Sequence, residues 1–518
     1  MFFIRYVVLT KRRPTAVPVR RRPGTWFLAM FLAILAVCVA LRLWQLDRTS
    51  LWTDEIFSRY YYDLLGPRFL FTEGLRVEPT FPLYYVILRG WMEFTGASEY
   101  ALRSLSVLMS VAALPLVYLL ARELGSRRQA LVAAGLYAIC PFAVYFAHEA
   151  RVYAMTLAPS CLVLLGVAMF LRGVPARRWM APYVAGAVIC LYSHATLVLL
   201  VASCSAAVLL HRLAARRPGL IRDLMPWVGA NIAVIVLAGP AIFAMAVSAR
   251  AGGLDWIGPL AVRDVVYGIS ALLSGMVTPV PTPGLWLAAA FGLTLAASLW
   301  DRTPNPRVVA ILVLIPGCFV VIAVLLSLSR PIFLPRILCW LVVPLCVLTG
   351  YQLAQASRFR RALAVATSLT FLVGLAWQIA LPDSTKEPWR EALPALRPGL
   401  QRADLLVLSP RFNPLILQYY APGLGNVRIW QETLPQTVMT AVSAKLGIAP
   451  VSRAEIIQAI AAGQRVWVLS NTPDLPFLAT LARRVRPPAG EKQWLCGKTA
   501  CITAMEWAPD PVQGGVAG

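Results

Sequence analysis

Three short stretches of this 518-residue chain put charge into apolar surroundings. The first, LWTDEIFSRYYYDL (51–64), sets Asp54 beside Glu55 directly after a run of about 20 apolar residues. The second, AVYFAHEARVYAM (143–155), carries His148, Glu149, Arg151 and Tyr153. The third, SRPIFLPR (329–336), carries Arg330 and Arg336. A carboxylate pair can take a proton as a general base or share a cation. Guanidinium groups can hold a phosphate or another anion. The same residues can also form a salt-bridged structural cluster or a solvated rim. The rim reading is weakest for Asp54 and Glu55, because near lipid headgroups a carboxylate is costly unless it is paired or used. If 148–153 is helical, Glu149 and Tyr153 share one face, a turn apart.

The elements that must position these residues are membrane spans. Hydrophobic residues make up 59% of the chain and charged ones 14%, with a mean hydropathy of +0.68. A soluble domain carries roughly a quarter charged residues. Repeated runs close to bilayer length predict a polytopic membrane protein. The net charge of +24 is carried by arginines in short loops between apolar runs, the pattern of cytoplasmic loops. No basic groove with interleaved aromatics stands outside those runs, so no nucleic-acid partner is expected.

The basic arm KRRPTAVPVRRRPG (11–24) then lies in the cytoplasm, ahead of an uncleaved first helix. Eleven spans are predicted, near 27–46, 101–121, 129–146, 154–171, 179–193, 195–211, 225–246, 285–300, 308–328, 337–355 and 362–381. Residues 47–100 and 247–284 form outer segments. The piece PLYYVILRGWMEF (82–94) is too short to cross and reads as interfacial or re-entrant.

After Pro382 the apolar runs shrink to strand length: DLLVLS, NVRIW, RVWVLS and CITAMEW. Amphipathic stretches, RAEIIQAIAAG and LPFLATLARRV, stand among them. The pattern predicts a small α/β domain on the outer face, ending in a disordered tail. The expected domains are a basic arm (1–26), a transmembrane region (27–381) and the α/β domain (382–518). Eight of the ten cysteines sit in apolar runs. Cys496 and Cys501, flanking GKTA, are expected to form a disulfide if that end lies outside the cytoplasm.

Four motifs in order carry a family resemblance: LWTDE, EPTFPLYYVILRGW, SEYALRSLSVL and PFAVYFAHEARVYAM. Together they resemble the family 39 branch of the GT-C glycosyltransferase superfamily, which includes protein O-mannosyltransferases and aminoarabinose transferases. LYSHATL (191–197) and KEPWREALPAL (386–396) are similar to bacterial members as well. The resemblance implies an all-α membrane bundle of GT-C type in the bacterial inner membrane, in contact with membrane lipids. It implies transfer of a sugar from a polyprenyl-phosphate donor to a hydroxyl or amine of a cell-envelope glycan, lipid or protein on the outer face.

Carried over by position, Asp54 is the first choice for the base, Glu55 its neighbour, and Glu149 the second functional acid. Tyr84, Arg151, Tyr153, His194 and Arg336 fall on the donor side. Thr80 stands where many relatives have a basic residue, so another cation must meet the phosphate, and Arg151 and Arg336 are the candidates. A lipid-soluble donor accounts for the missing Gly-rich phosphate loop. The acids leave a divalent metal ion open, although no ligand spacing demands one. The main alternative is a lipid or polysaccharide transporter or flippase without transferase activity. That reading expects ionisable residues at the bilayer midplane. Here the helix middles are nearly free of acids, and His211 lies at a helix end.

Overall fold

The computed structural model describes residues 25–72, 81–215, 220–251, 257–276, 292, 305–353, 357–381, 386–401, 403–409, 412–424, 426–430, 438–470, 488–496 and 499–508. In chain order the helices are α1 (Thr25–Leu43), α2 (Thr53–Leu70), α3 (Leu83–Thr95), α4 (Glu99–Leu124), α5 (Arg127–Ile139) and α6 (Pro141–Ala147). They continue as α7 (Val152–Leu171), α8 (Ala176–Ser193), α9 (Ala195–Ala214), α10 (Leu220–Leu237), α11 (Gly239–Ala251), α12 (Val262–Ser274), α13 (Pro306–Ser327), α14 (Pro335–Leu353) and α15 (Arg358–Ala380).

Among the described residues eight helices are long and apolar enough to cross a membrane, or nine if the bent pair α5–α6 is one span. The chain is thus a multi-pass membrane protein. Of the eleven predicted spans, 285–300 falls almost wholly outside the described residues. The span predicted at 179–193 is α8, which is not among the eight. The piece at 82–94 folds as the short helix α3.

The chain forms two compact units, and they do not follow its linear order. One joins Met1–Leu46 to Phe71–Leu381; the other joins Asp47–Leu70 to Pro382–Gly518. In the first unit α7 packs against α4 and α8. Gly166 and Gly186 make the α7–α8 approach close: a methyl group at Gly166 would stand 2.6 Å from Cβ of Tyr183, and one at Gly186 would stand 2.7 Å from the Pro159 carbonyl oxygen. Small residues at such seams let two backbones meet. Apolar side chains of α10 and α15, such as Ile235, Val236, Leu369 and Val373, stay exposed, as lipid-facing surfaces do.

The α5–α6 pair bends by 53° at Cys140 and Pro141. Pro141 has no N–H to give Tyr137, so carbonyls at the break lose their ladder partners. Arg42, fully buried at the end of α1, supplies donors instead. Its guanidinium donates to the carbonyl oxygens of Tyr137 (3.2 Å) and Ala138 (3.0 Å) and to Ser110 Oγ (2.9 Å). It also lies 5.0 Å from the Tyr137 ring centroid.

The second unit contains α2 and, beyond it, α16 (Trp389–Leu396), β1 (Leu405–Leu408), α17 (Leu415–Tyr420), β2 (Val427–Trp430), α18 (Val438–Lys445), β3 (Ala449–Val451), α19 (Arg453–Ala461), β4 (Val466–Ser470), β5 (Gly490–Cys496) and β6 (Thr499–Trp507). The sheet order is β3-β2-β1-β4-β6-β5. The first four strands are parallel, and the β5–β6 hairpin adds on antiparallel. The central strands β1 and β4 are buried along their whole length, as expected of continuous apolar runs covered on both faces. Val407, Trp430, Ile456, Val468 and Trp507 form the core. All four predicted strands are present, and RAEIIQAIAAG is α19, started by a Ser452–Glu455 capping box. LPFLATLARRV and the side chains of Cys496 and Cys501 lie outside the described residues.

Candidate active site

The first unit brings its polar residues to the turn between α6 and α7. The helix ends at Ala147, and Arg151 is extended (φ −138°, ψ 162°) before a 3-10 turn over Val152–Thr156. Glu149 and Tyr153 therefore do not share a helical face. The tertiary partners of this turn displace the helical ladder: Ser106 Oγ donates to the Arg151 carbonyl (3.4 Å), and Tyr84 Oη lies 3.2 Å from Ser106 Oγ. With Ser106's proton committed to Arg151, Tyr84 is the donor of that second bond. Tyr84 thus acts on the backbone that carries Arg151. Glu149 is buried in the turn, its carbonyl accepting from the Arg151 N–H at 2.8 Å.

Two guanidiniums converge on Tyr153. Arg336, in the 3-10 turn that opens α14, donates to Tyr153 Oη at 3.1 Å and lies 5.8 Å from its ring centroid. Arg151 lies 6.0 Å from the same ring and donates to Tyr85 Oη at 3.1 Å. His194, at the junction of α8 and α9, stands with its ring 6.0 Å from that of Tyr153.

Two facts fix the state of His194. Burial, then the charges of Arg336 and Arg151, lower its pKa to about 3, so the ring is neutral at pH 7. The Thr196 backbone N–H donates to Nδ1 at 3.3 Å, so Nδ1 is an acceptor and the ring proton sits on Nε2. His194 keeps part of its surface exposed. The result is a neutral N–H donor beside two cations, an arrangement suited to an anion. Thr80 lies outside the described residues.

The second unit holds the acid pair. The loop before α2 is docked beyond the carboxyl end of β1, the place where open α/β sheets receive ligands. Tyr420 Oη accepts from the Leu51 N–H (2.6 Å), and Asn413 Nδ2 donates to the Thr53 carbonyl (3.3 Å). Acids in a helix's first turn are favoured by its dipole alone, and Asp54 and Glu55 both sit there. The two differ in surroundings. Glu55 is fully buried, 3.7 Å from Lys386 Nζ, which is buried too. Asp54 is half-buried. Glu387 accepts from the Thr53 backbone N–H (3.3 Å) and from Thr53 Oγ1 (3.1 Å). Burial, reinforced by the nearby charge of Asp54, raises the Glu387 carboxyl above the ordinary range, against the pull of those hydrogen bonds.

Lys386 and Glu387 carry no role in the motif reading, although KEPWREALPAL contains them. Tyr85 is likewise new. The one signal for each was adjacency to a motif residue. Among the described residues no three His, Cys, Asp or Glu side chains gather to hold a metal ion.

A family model described as dolichyl-phosphate-mannose-protein mannosyltransferase matches residues 78–243. The structure is similar to that of ArnT from Cupriavidus metallidurans bound to undecaprenyl phosphate, with a TM-score of 0.56 at 14% identity, covering 93% of this chain and 98% of that one. The apo form of the same ArnT gives a TM-score of 0.55. The oligosaccharyltransferase AglB from Archaeoglobus fulgidus, in complex with an inhibitory peptide and a dolichol-phosphate, is more distant, with a TM-score of 0.45 at 14% identity, covering 87% of this chain and 70% of that one. Comparison with curated proteins finds no sequence match. The fold is thus ArnT-like.

Proposed function

We propose that this chain transfers a sugar from a polyprenyl-phosphate donor to a hydroxyl or amine of a cell-envelope acceptor outside the cytoplasm of a bacterium. The reaction asks two things of the chain. Displacing a lipid phosphate from an anomeric carbon builds negative charge on the departing phosphate oxygen. Cations and N–H donors fixed in advance lower the energy of that charge. Arg151, Arg336 and the neutral Nε2–H of His194 are such groups; Tyr153 orients Arg336 and Tyr85 orients Arg151. The second task is removal of the acceptor's proton, worth roughly 10²–10⁴-fold in rate. Asp54 is the base: Glu55 is paired with Lys386, whereas Asp54 keeps exposed surface. In balance, the acceptor proton passes to Asp54, the acceptor oxygen or nitrogen bonds the anomeric carbon, and the sugar–phosphate bond breaks to release polyprenyl phosphate.

The observation that carries this reading is the convergence of two guanidiniums and a neutral imidazole on Tyr153. The undecaprenyl phosphate bound to the structurally similar ArnT supports a lipid phosphate as the anion. The test uses the full-length protein in liposomes with a panel of undecaprenyl-phosphate sugars. Sugar should appear on an acceptor, and Arg336→Gln should weaken undecaprenyl phosphate binding. Lipid movement across the bilayer with no sugar transfer from any donor would favour a flippase and overturn the assignment.

A further inference from the structure

Arg151 stands directly before α7, and Arg172 directly after it. A helix of 20 residues rises about 30 Å, the thickness of a bilayer's hydrocarbon core. The turn around Tyr153 and the segment around Arg172 thus lie at opposite membrane boundaries. At the Arg172 boundary one carboxylate serves two guanidiniums. Glu123 Oε1, near the end of α4, lies 2.9 Å from Arg172 Nη1 and 4.0 Å from Arg307 Nη1. Arg307 is the second residue of α13, where the helix dipole disfavours a cation. Its Nη1 is buried and has no hydrogen-bond partner among the described residues. The start of α13 is fixed beside the end of α9, where Ala214 packs against Val309 and Val313. A third guanidinium at this end is engaged otherwise: Arg212 Nη1 lies 3.6 Å from Asp223 Oδ2, and its guanidinium stands 4.8 Å from the Phe170 ring centroid.

We propose that Arg172 and Arg307 hold the phosphate of an anionic phospholipid, in the leaflet opposite to the Tyr153 turn. Two guanidiniums converging on one carboxylate oxygen leave positive charge over, and a phosphodiester supplies both the second negative charge and acceptor oxygens that match the guanidinium fork. The site can be reached: the Arg172 and Arg307 side chains are 37% and 24% exposed, whereas that of Glu123, at 13%, lies deepest. Its surroundings favour a lipid over a free anion. Leu119 of α4 and Leu209 and Leu213 of α9, close to the same helix ends, stay exposed, so acyl chains have apolar surface to lie against. Arg122, Arg127 and Arg177 stand at neighbouring helix ends, and such basic clusters draw anionic lipids to a membrane face. The site uses none of the groups assigned to sugar transfer, so the inference stands apart from that reading.

The test is native mass spectrometry of the full-length protein in detergent, titrated with phosphatidylglycerol, phosphatidylcholine or inorganic phosphate. The parent should retain phosphatidylglycerol about 10-fold more tightly than phosphatidylcholine and should not retain inorganic phosphate. Arg172→Gln and Arg307→Gln should each remove that preference. Glu123→Gln should strengthen it, because the lipid phosphate then meets both guanidiniums without a competing carboxylate. A role confined to bracing the helix ends predicts otherwise, with Glu123→Gln harming the protein as the arginine variants do and gaining no lipid. Thermal unfolding gives a second readout: phosphatidylglycerol should raise the Tm of the parent and of Glu123→Gln, and leave those of the arginine variants unchanged. If the arginine variants do not fold, Glu123→Gln alone decides. No preference in the parent, a preference kept by either arginine variant, or a weaker one in Glu123→Gln overturns the inference. Inorganic phosphate retained as tightly as phosphatidylglycerol makes the ligand a soluble anion and overturns the lipid assignment.

Discussion

The cation cluster of the transmembrane unit and the acid cluster of the other unit solve opposite problems. Arg151 and Arg336 are held by phenol oxygens, those of Tyr85 and Tyr153. A phenol oxygen orients a guanidinium. In the acid cluster Glu55 lies 3.7 Å from Lys386 Nζ, and another carboxyl, Glu387, is fastened to a helix start. The first cluster is built to fix direction. The second sets two adjacent acids in different surroundings, Glu55 fully buried and Asp54 half-buried. Adjacent residues of like charge therefore need not share a role.

The sharpest way to break this contrast is to compare Asp54 with Asp63. Asp54→Asn keeps the shape of the side chain and removes the basic carboxylate. Turnover should fall by roughly 10²-fold or more, with undecaprenyl phosphate binding intact. Asp63→Asn, in the same helix but paired with Arg59 at the surface, should be near neutral. If both variants stay active, the acids are only a solvated rim.

Next in size is Lys386→Met. It removes the cation beside the buried Glu55, which should destabilise the second unit by about 3–5 kcal/mol in denaturant unfolding. Lys386→Met combined with Glu55→Gln should recover most of that loss, and transfer with it. If the double variant folds but does not transfer, Glu55 has a chemical role and the contrast fails.

Smaller again are the arginines. Arg336→Gln and Arg151→Gln should each weaken undecaprenyl phosphate binding by about 10-fold, as loss of a charge-assisted hydrogen bond does, with little effect on folding. A loss from only one of them would assign the phosphate to that residue.

The last test is in pH, where the two clusters pull in opposite senses. His194 has a lowered pKa in the fold, about 3 against an ordinary 6.5. Its contribution to stability is complete above pH 6.5 and is lost as pH falls toward about 3. Glu387 has a raised pKa against an ordinary 4.5, so its contribution is complete below pH 4.5 and is lost as pH rises through its folded value. His194→Gln should flatten the acid-side slope of thermal stability, and Glu387→Gln the opposite slope. The same slope in either variant and the parent would refute that assignment.

Much of this molecule can be read along the chain. The strands β1, β2, β4 and β6 announce themselves because short apolar runs between polar turns have few other ways to be buried. Asp54, Arg151 and Arg336 stand out because charge beside a membrane run needs a reason. What could not be read is anything set by a distant partner. Asp54 and Glu55 look alike until Lys386, 331 residues later, is found against one of them. The segment after His148 looks helical until Ser106 and Tyr85 claim Arg151. The division into units is hidden for the same reason: residues 47–70 lie between membrane helices in sequence and fold with the C-terminal segment in space.

Arg42 has a further consequence, one that concerns biosynthesis. An arginine in a membrane helix is unfavourable to insert, by about 2.5–3.5 kcal/mol at mid-membrane and less near an end. The carbonyls that satisfy Arg42 belong to Tyr137 and Ala138, which are 95 and 96 residues further along the chain. They are open to it because Pro141, later still, breaks the helix that would have used them. Helix α1 is thus unfinished until α5 arrives, which couples their integration in time. Nascent chains stalled before residue 137 should keep α1 within crosslinking reach of the insertion machinery. Chains stalled well beyond Pro141 should release it, and Arg42→Leu should release it early.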